Sequence, residues 1–168
     1  ADVEDDLGME REWVVEESVV VAAPPERVYA AVADVRRMGE WSPETFAVWA
    51  RGGSVRAGTT FVGFNRLGWR VWFTSGRVTA AEPGRVFAFR VSSFRIPVAL
   101  WGYRIEGIGG GSTRLTEYWE DLRRDGPGAR VISVLGRTVS GVKAERRAGL
   151  NRRGMRTTLD RIKAALES

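Results

Sequence analysis

The sequence predicts an α+β fold: about seven antiparallel strands in a meander, two short helices after the first strand, and a long C-terminal helix. Three observations carry this. A β-branched run, Val19-Val20-Val21, stops at Pro24-Pro25 and gives way at once to helical spacing. Residues 44–121 alternate β-rich runs with glycine and proline. After Asp125, apolar residues recur three and four apart.

Residues 1–12 hold six acids (Asp2, Glu4, Asp5, Asp6, Glu10, Glu12) against Arg11 and show no periodicity. An acidic flexible arm is therefore expected ahead of a single domain over 13–168. The first strand is expected over 13–22, with Val19 and Val21 on one face. Either proline can occupy the first turn of a helix, where no backbone N–H is needed, so a helix is placed over 25–33. Val28, Tyr29 and Val32 mark its buried face. A second short helix or turn over 35–41 closes at Ser42-Pro43. Strands follow over 46–51, 59–66, 69–80, 85–92, 98–105 and 112–121. Glu82-Pro83-Gly84 is a strong turn signal, 93–97 reads as an irregular link, and 107–111 as a flexible loop. The clearest helical stripe is Ala148, Asn151, Met155, Leu159, Ile162 and Leu166. A second amphipathic pattern, Val131, Val134, Leu135, Val139 and Val142, begins after Gly128. One straight helix over 129–166 would be about 57 Å long, so a break is expected near 136–141, where Gly136 and Ser140-Gly141 fall.

Composition narrows the chemistry. With 168 residues and 43% hydrophobic content, one core and an internal cavity are both affordable. No apolar run approaches a membrane span and no signal peptide is visible, so a cytoplasmic location is the default expectation. There is no cysteine and no histidine. That removes disulfides, thiolate nucleophiles, the usual zinc ligands and every Ser-His-Asp arrangement. No Asp/Glu cluster has ligand-like spacing, so no metal and no cofactor are expected. The net charge is +5, and residues 123–163 carry twelve Lys/Arg against three acids. A solvated helix face in an arginine-preferring chain is the simpler reading, and binding of nucleic acid or anionic lipid the weaker one; the charges lack the interleaved aromatics that single-strand binders use.

Alternation assigns the sheet faces. Phe87, Phe89 and Val91 share one face, as do Trp101, Tyr103 and Ile105, and Thr113, Leu115, Glu117 and Trp119. The hairpin adds Phe61, Gly63 and Asn65, then Trp72, Thr74 and Val78. The hairpin assignment is the weaker one, since Val62, Phe64, Val71 and Phe73 make its other face apolar too. Large aromatics on one face either fill a core or line a pocket. Asn65 and Glu117 are polar in the inward phase. Each needs a structural partner or a wet cavity, because burying an unpaired polar group is costly.

Val19 to Asp34, with its Ala-Pro-Pro-Glu helix start and Val-Tyr anchor, followed by Trp41-Ser42-Pro43, resembles the opening of the START and birch-pollen-allergen-like helix-grip superfamily (SRPBCC). The closer likeness is to its polyketide cyclase/dehydrase-like branch. Residues 151–155 and 157–164 look like the closing helix of bacterial members. The resemblance implies a curved sheet wrapped around the C-terminal helix with a cavity between them, and assigns no catalytic residue.

The expectation is a binding module for a hydrophobic, ring-containing or lipid-like molecule. Phe61, Trp72, Phe87, Phe89, Trp101, Tyr103 and Trp119 form its walls, Asn65 and Glu117 orient the ligand, and Met155 closes the helix side. Trp41 sits either at the pocket mouth or as a plug between helix and sheet. The alternative is a polyketide-type cyclase, aromatase or dehydratase in the same cavity, with Glu117 or Tyr103 moving protons. Segment 129–142 is expected beside the entrance as a lid or a homodimer contact.

Overall fold

A computed structural model describes residues 12–123 and 127–168, with the side chains of 127–129, 132, 136, 138, 139, 144 and 145 outside the description. Seven strands form one antiparallel sheet in the order β1-β7-β6-β5-β4-β3-β2. They are β1 (Val14–Val21), β2 (Thr45–Ala50), β3 (Thr60–Leu67), β4 (Arg70–Glu82), β5 (Val86–Ser93), β6 (Ile96–Gly109) and β7 (Ser112–Asp121). Helices α1 (Pro25–Ala33) and α2 (Met38–Trp41), joined by a 3-10 turn at Val35–Arg37, follow β1; α3 (Pro127–Ser140) and α4 (Ala144–Glu167) close the chain. The sheet curves around α4 in the helix-grip arrangement, so the architecture is the expected one. Residues 1–11 of the expected acidic arm over 1–12, Asp125 and the Val139 side chain lie outside the described residues.

Proline starts α1 as its sequence requires: Pro24 is extended at the N-cap and Pro25 fills the first helical position. Val28, Ala31, Val32 and Ala33 are buried. The helical break falls at Gly141, whose φ of +76° suits only glycine without strain. Backbone helix runs unbroken through Gly136, so the interruption sits at the far edge of the expected window.

Two connections differ from expectation. The link over 93–97 is a two-residue turn, Phe94-Arg95, between paired Ser93 and Ile96. Both residues have positive φ, 51° and 67°. Tight hairpins of this length favour that geometry but normally fill it with Asn-Gly, so no turn signal marks Phe94-Arg95. A left-handed conformation costs a non-glycine residue on the order of 1–2 kcal/mol. The glycine-rich stretch is mostly strand: β6 continues to Gly109 past a register shift, leaving Gly110-Gly111 as the turn.

Every inward assignment on the sheet is in phase. Phe61 lies opposite Gly76, Gly63 opposite Thr74 and Asn65 opposite Trp72. Val78 pairs with Phe89, Phe89 with Trp101, and Trp101 with Trp119. One level further along, Phe87, Tyr103 and Glu117 form a row, and beyond it Ile105 pairs with Leu115. On the weaker hairpin, Phe61 and Asn65 are buried, whereas Phe64, Val71 and Phe73 are exposed.

The interior is divided along the strand direction. From Phe87, at one end of the Tyr103–Glu117 row, and below that row, Val21, Val28, Val35, Leu115, Leu159 and Ile162 pack solidly, all nearly inaccessible. Above it the sheet and α4 diverge. There Val15, Ala99, Trp119, Ala148 and Met155 form a separate small cluster along the β1 side.

Candidate functional site: an aromatic cavity with a carboxyl at its floor

The divergence leaves a cavity of about 680 Å³ between the sheet, α2, α3 and α4. That lies within the range of small-molecule sites. Ten of the eleven residues expected at the site line it: Trp41, Phe61, Asn65, Trp72, Phe89, Trp101, Tyr103, Glu117, Trp119 and Met155. Phe87 does not. Although level with Tyr103 and Glu117, its ring is fully buried in the solid core, edge-on to Tyr29 of α1 at 6.4 Å.

The walls are built from packed aromatics. Phe61 meets Phe89 edge-on at 5.3 Å. Gly76 makes this possible, because any Cβ there would collide with the Phe61 ring. Trp101 and Trp119 lie 6.5 Å apart on neighbouring strands. Met155 faces them from α4, 1% exposed. Trp41 is a buried wall rather than a rim: its indole N–H donates to the Ala31 carbonyl at 3.3 Å, and its side chain is 4% exposed.

The two inward polar residues turn out differently. Asn65 is held structurally: Thr45 Oγ1 donates to its Oδ1 at 2.7 Å, and its Nδ2 donates to Thr74 Oγ1 at 3.2 Å, tying β2, β3 and β4 together. Among the described residues, Glu117 has no cationic partner. Tyr103 donates to its Oε1 at 3.4 Å, long for an O–H···O bond, and its Oε2 is buried with no partner. Burial pushes this carboxyl up to about 8, against the lowering effect of the Tyr103 hydrogen bond. Burial also pushes the Tyr103 phenol up, helped by Glu117 beside it. Both groups are therefore neutral near pH 7: a carboxylic acid and a phenol at the floor of an apolar chamber. Glu17 of β1, opposite Glu117 in the β1–β7 register, is met by Arg152 and Arg156 of α4 at 3.7 and 3.5 Å.

Several lining groups escaped the sequence reading. Asn151, counted in the apolar stripe of α4, is 5% exposed and lines the cavity beside Thr158. A polar residue in an apolar stripe was the available signal. Arg123 and Asp121 form a buried two-point ion pair of 2.9 and 3.0 Å where the chain leaves β7. Arg147 donates to Glu44 at 2.9 Å and lies 6.0 Å from the Trp72 ring, bridging α4 to the start of β2. Leu135, Ser140 and Val142 put α3 and its C-terminal end on the cavity lining. No metal-ligand cluster occurs among the described residues.

Comparison with known proteins agrees with this geometry. The family model described as polyketide cyclase / dehydrase and lipid transport matches residues 12–167. The solution structure of a polyketide-cyclase-like protein from Corynebacterium glutamicum is 33% identical, with a TM-score of 0.61, over 92% of this chain and 91% of that one. The Zhui aromatase/cyclase from Streptomyces sp. R1128 is 19% identical with a TM-score of 0.67, over 92% of this chain and 93% of that one. A protein of the dynemicin biosynthetic locus is 21% identical with a TM-score of 0.61, over 94% of this chain and 48% of that one. The last two likenesses concern the fold alone. No curated protein sequence matches. By the extent of the family match and the identity to the Corynebacterium protein, the chain belongs to the polyketide cyclase/dehydrase and lipid transport family.

Proposed function

We propose that the cavity binds an apolar, ring-containing small molecule, polyketide-like in character, with one polar end directed at the floor. The observation that carries this reading is the unpartnered Glu117 Oε2 at the base of a chamber with large aromatic walls. A buried polar atom without a partner is costly. A ligand hydroxyl or carbonyl reaching the floor would supply that partner. Trp72, Phe89, Trp101 and Trp119 offer flat faces to rings, and Met155 adapts to their outline. Native mass spectrometry of gently purified protein, alone and with polycyclic phenols, tests the reading. It predicts one-to-one complexes with the phenols; failure to retain any of them would refute it.

A second reading is favoured by the neutral state of Glu117. A carboxyl titrating near 8 can donate a proton at physiological pH, as cyclisation or dehydration of a folded polyketide chain requires. Glu117→Gln separates the readings. Lost turnover of a trial poly-β-ketone thioester with retained affinity would favour the enzyme. Binding without conversion by the native protein would favour the carrier.

A further inference from the structure

The end of the molecule where the cavity opens has a character of its own. In the meander, the β3–β4 tip (Leu67 to Arg70) and the β5–β6 tip (Ser93 to Ile96) project from the same end of the sheet. Each tip presents a large aromatic to solvent: Trp69 is 82% exposed and Phe94 77%. Val71 and Leu135, both on the cavity lining, are exposed beside them. Phe94 is held at positive φ, strained for an aromatic residue, although its side chain packs on little. Strain kept without a packing return points to a use for the exposed ring.

Charge at the two tips is basic: they carry Arg66, Arg70 and Arg95 and no acid. The carboxylates of Glu44 and Asp121, also at this end of the sheet, are paired with Arg147 and Arg123. Residues 127–143 add Arg130, Arg137 and Lys143 and no acid. On α4, by contrast, Arg147, Arg152, Arg156 and Lys163 have carboxylate partners. Arg66 and Arg95, at the two tips, have no carboxylate partner among the described residues. Arg70 stacks on Trp69, its guanidinium 4.8 Å from the ring.

We propose that this end docks on an anionic lipid bilayer, with Trp69 and Phe94 entering the interface and the surrounding arginines meeting the headgroups. Exposed aromatics flanked by basic residues suit the amphipathic boundary of a membrane. Two separated protruding tips suit a deformable surface better than a rigid protein face. Docked in this way, the cavity opens toward the bilayer, and an apolar ligand enters without crossing water. The inference rests on the surface and holds whatever molecule fills the cavity.

Co-sedimentation with vesicles tests it. Vesicles of phosphatidylcholine alone are compared with vesicles containing about one third phosphatidylglycerol, a composition that gives a negative surface potential. Binding is expected to the anionic vesicles only, and to fall steeply as salt rises. The double variant Trp69→Ser/Phe94→Asn should lower the bound fraction at least about tenfold. It should keep its melting temperature, because both side chains are exposed and Asn tolerates the left-handed turn. No sedimentation with anionic vesicles would overturn the proposal, as would equal binding by the variant or by phosphatidylcholine alone. So would self-association, or capture of an acidic protein, that depends on the same two residues in the absence of vesicle binding.

Discussion

Glu117 shows how one buried group shapes both chemistry and stability. Its carboxyl titrates near 8 in the folded protein against about 4.5 without burial. Between those values the folded state holds a proton that the unfolded chain releases. The group's contribution to stability therefore falls as pH rises from about 4.5 to about 8, then levels off. Glu117→Gln should abolish that slope, so the variant's stability relative to the native protein grows across the window and is greatest above pH 8. Denaturant unfolding at several pH values measures this, and a variant-minus-native difference that stays flat with pH would contradict it. A second comparison separates core from cavity. Phe87→Ala, in the solid core, should cost about 3–5 kcal/mol. Trp72→Ala, on a half-buried wall beside existing space, should cost about 1–2 kcal/mol while weakening ligand binding. Equal costs in thermal unfolding would mean that the two rings share one packed environment.

Among the elements, α3 is the one poised to respond to a ligand. It contacts β4, β6 and α4, and its exposed Val131, Val134 and Leu135 show an apolar face only partly covered. Such an element belongs to the low-stability end of a fold. Amide exchange in α3 should be faster than in α4 and slow markedly when the cavity fills; equal protection unchanged by ligand would make α3 plain structural packing. How far these elements could be read in advance follows from what the sequence encodes. Strand phase was legible because one face is buried and a slip of one residue would invert every side chain. Even the doubly apolar hairpin kept its expected face, with Phe61 and Asn65 inward. The Phe94-Arg95 turn was hidden because neither residue favours positive φ, and the glycines at 107–111 masked a strand. Phe87 is expected in the cavity because alternation gives the face of a residue and not what covers it. It is level with the lining Tyr103, but Tyr29 of α1 packs on its ring, a contact that leaves no local mark.

At the level of the molecule, one end is sealed and the other open. α1, β1 and the C-terminal half of α4 close a solid core around Phe87, Leu115 and Ile162, which leaves the opposite end free to carry a chamber without loss of the fold. The same division explains why family membership fixes the architecture and leaves the ligand to the lining residues. In this chain the lining combines four tryptophans with an uncharged acid and phenol at the floor, a surface suited to flat rings bearing one polar group. The decisive measurement is a titration of the purified protein with a polycyclic phenol and with its methyl ether, followed by tryptophan fluorescence. Saturable one-to-one binding is predicted, with the phenol tighter by about tenfold, the value of one hydrogen bond to the floor. Absence of saturable binding, or equal affinity for phenol and ether, would contradict a ligand oriented by Glu117 and Tyr103.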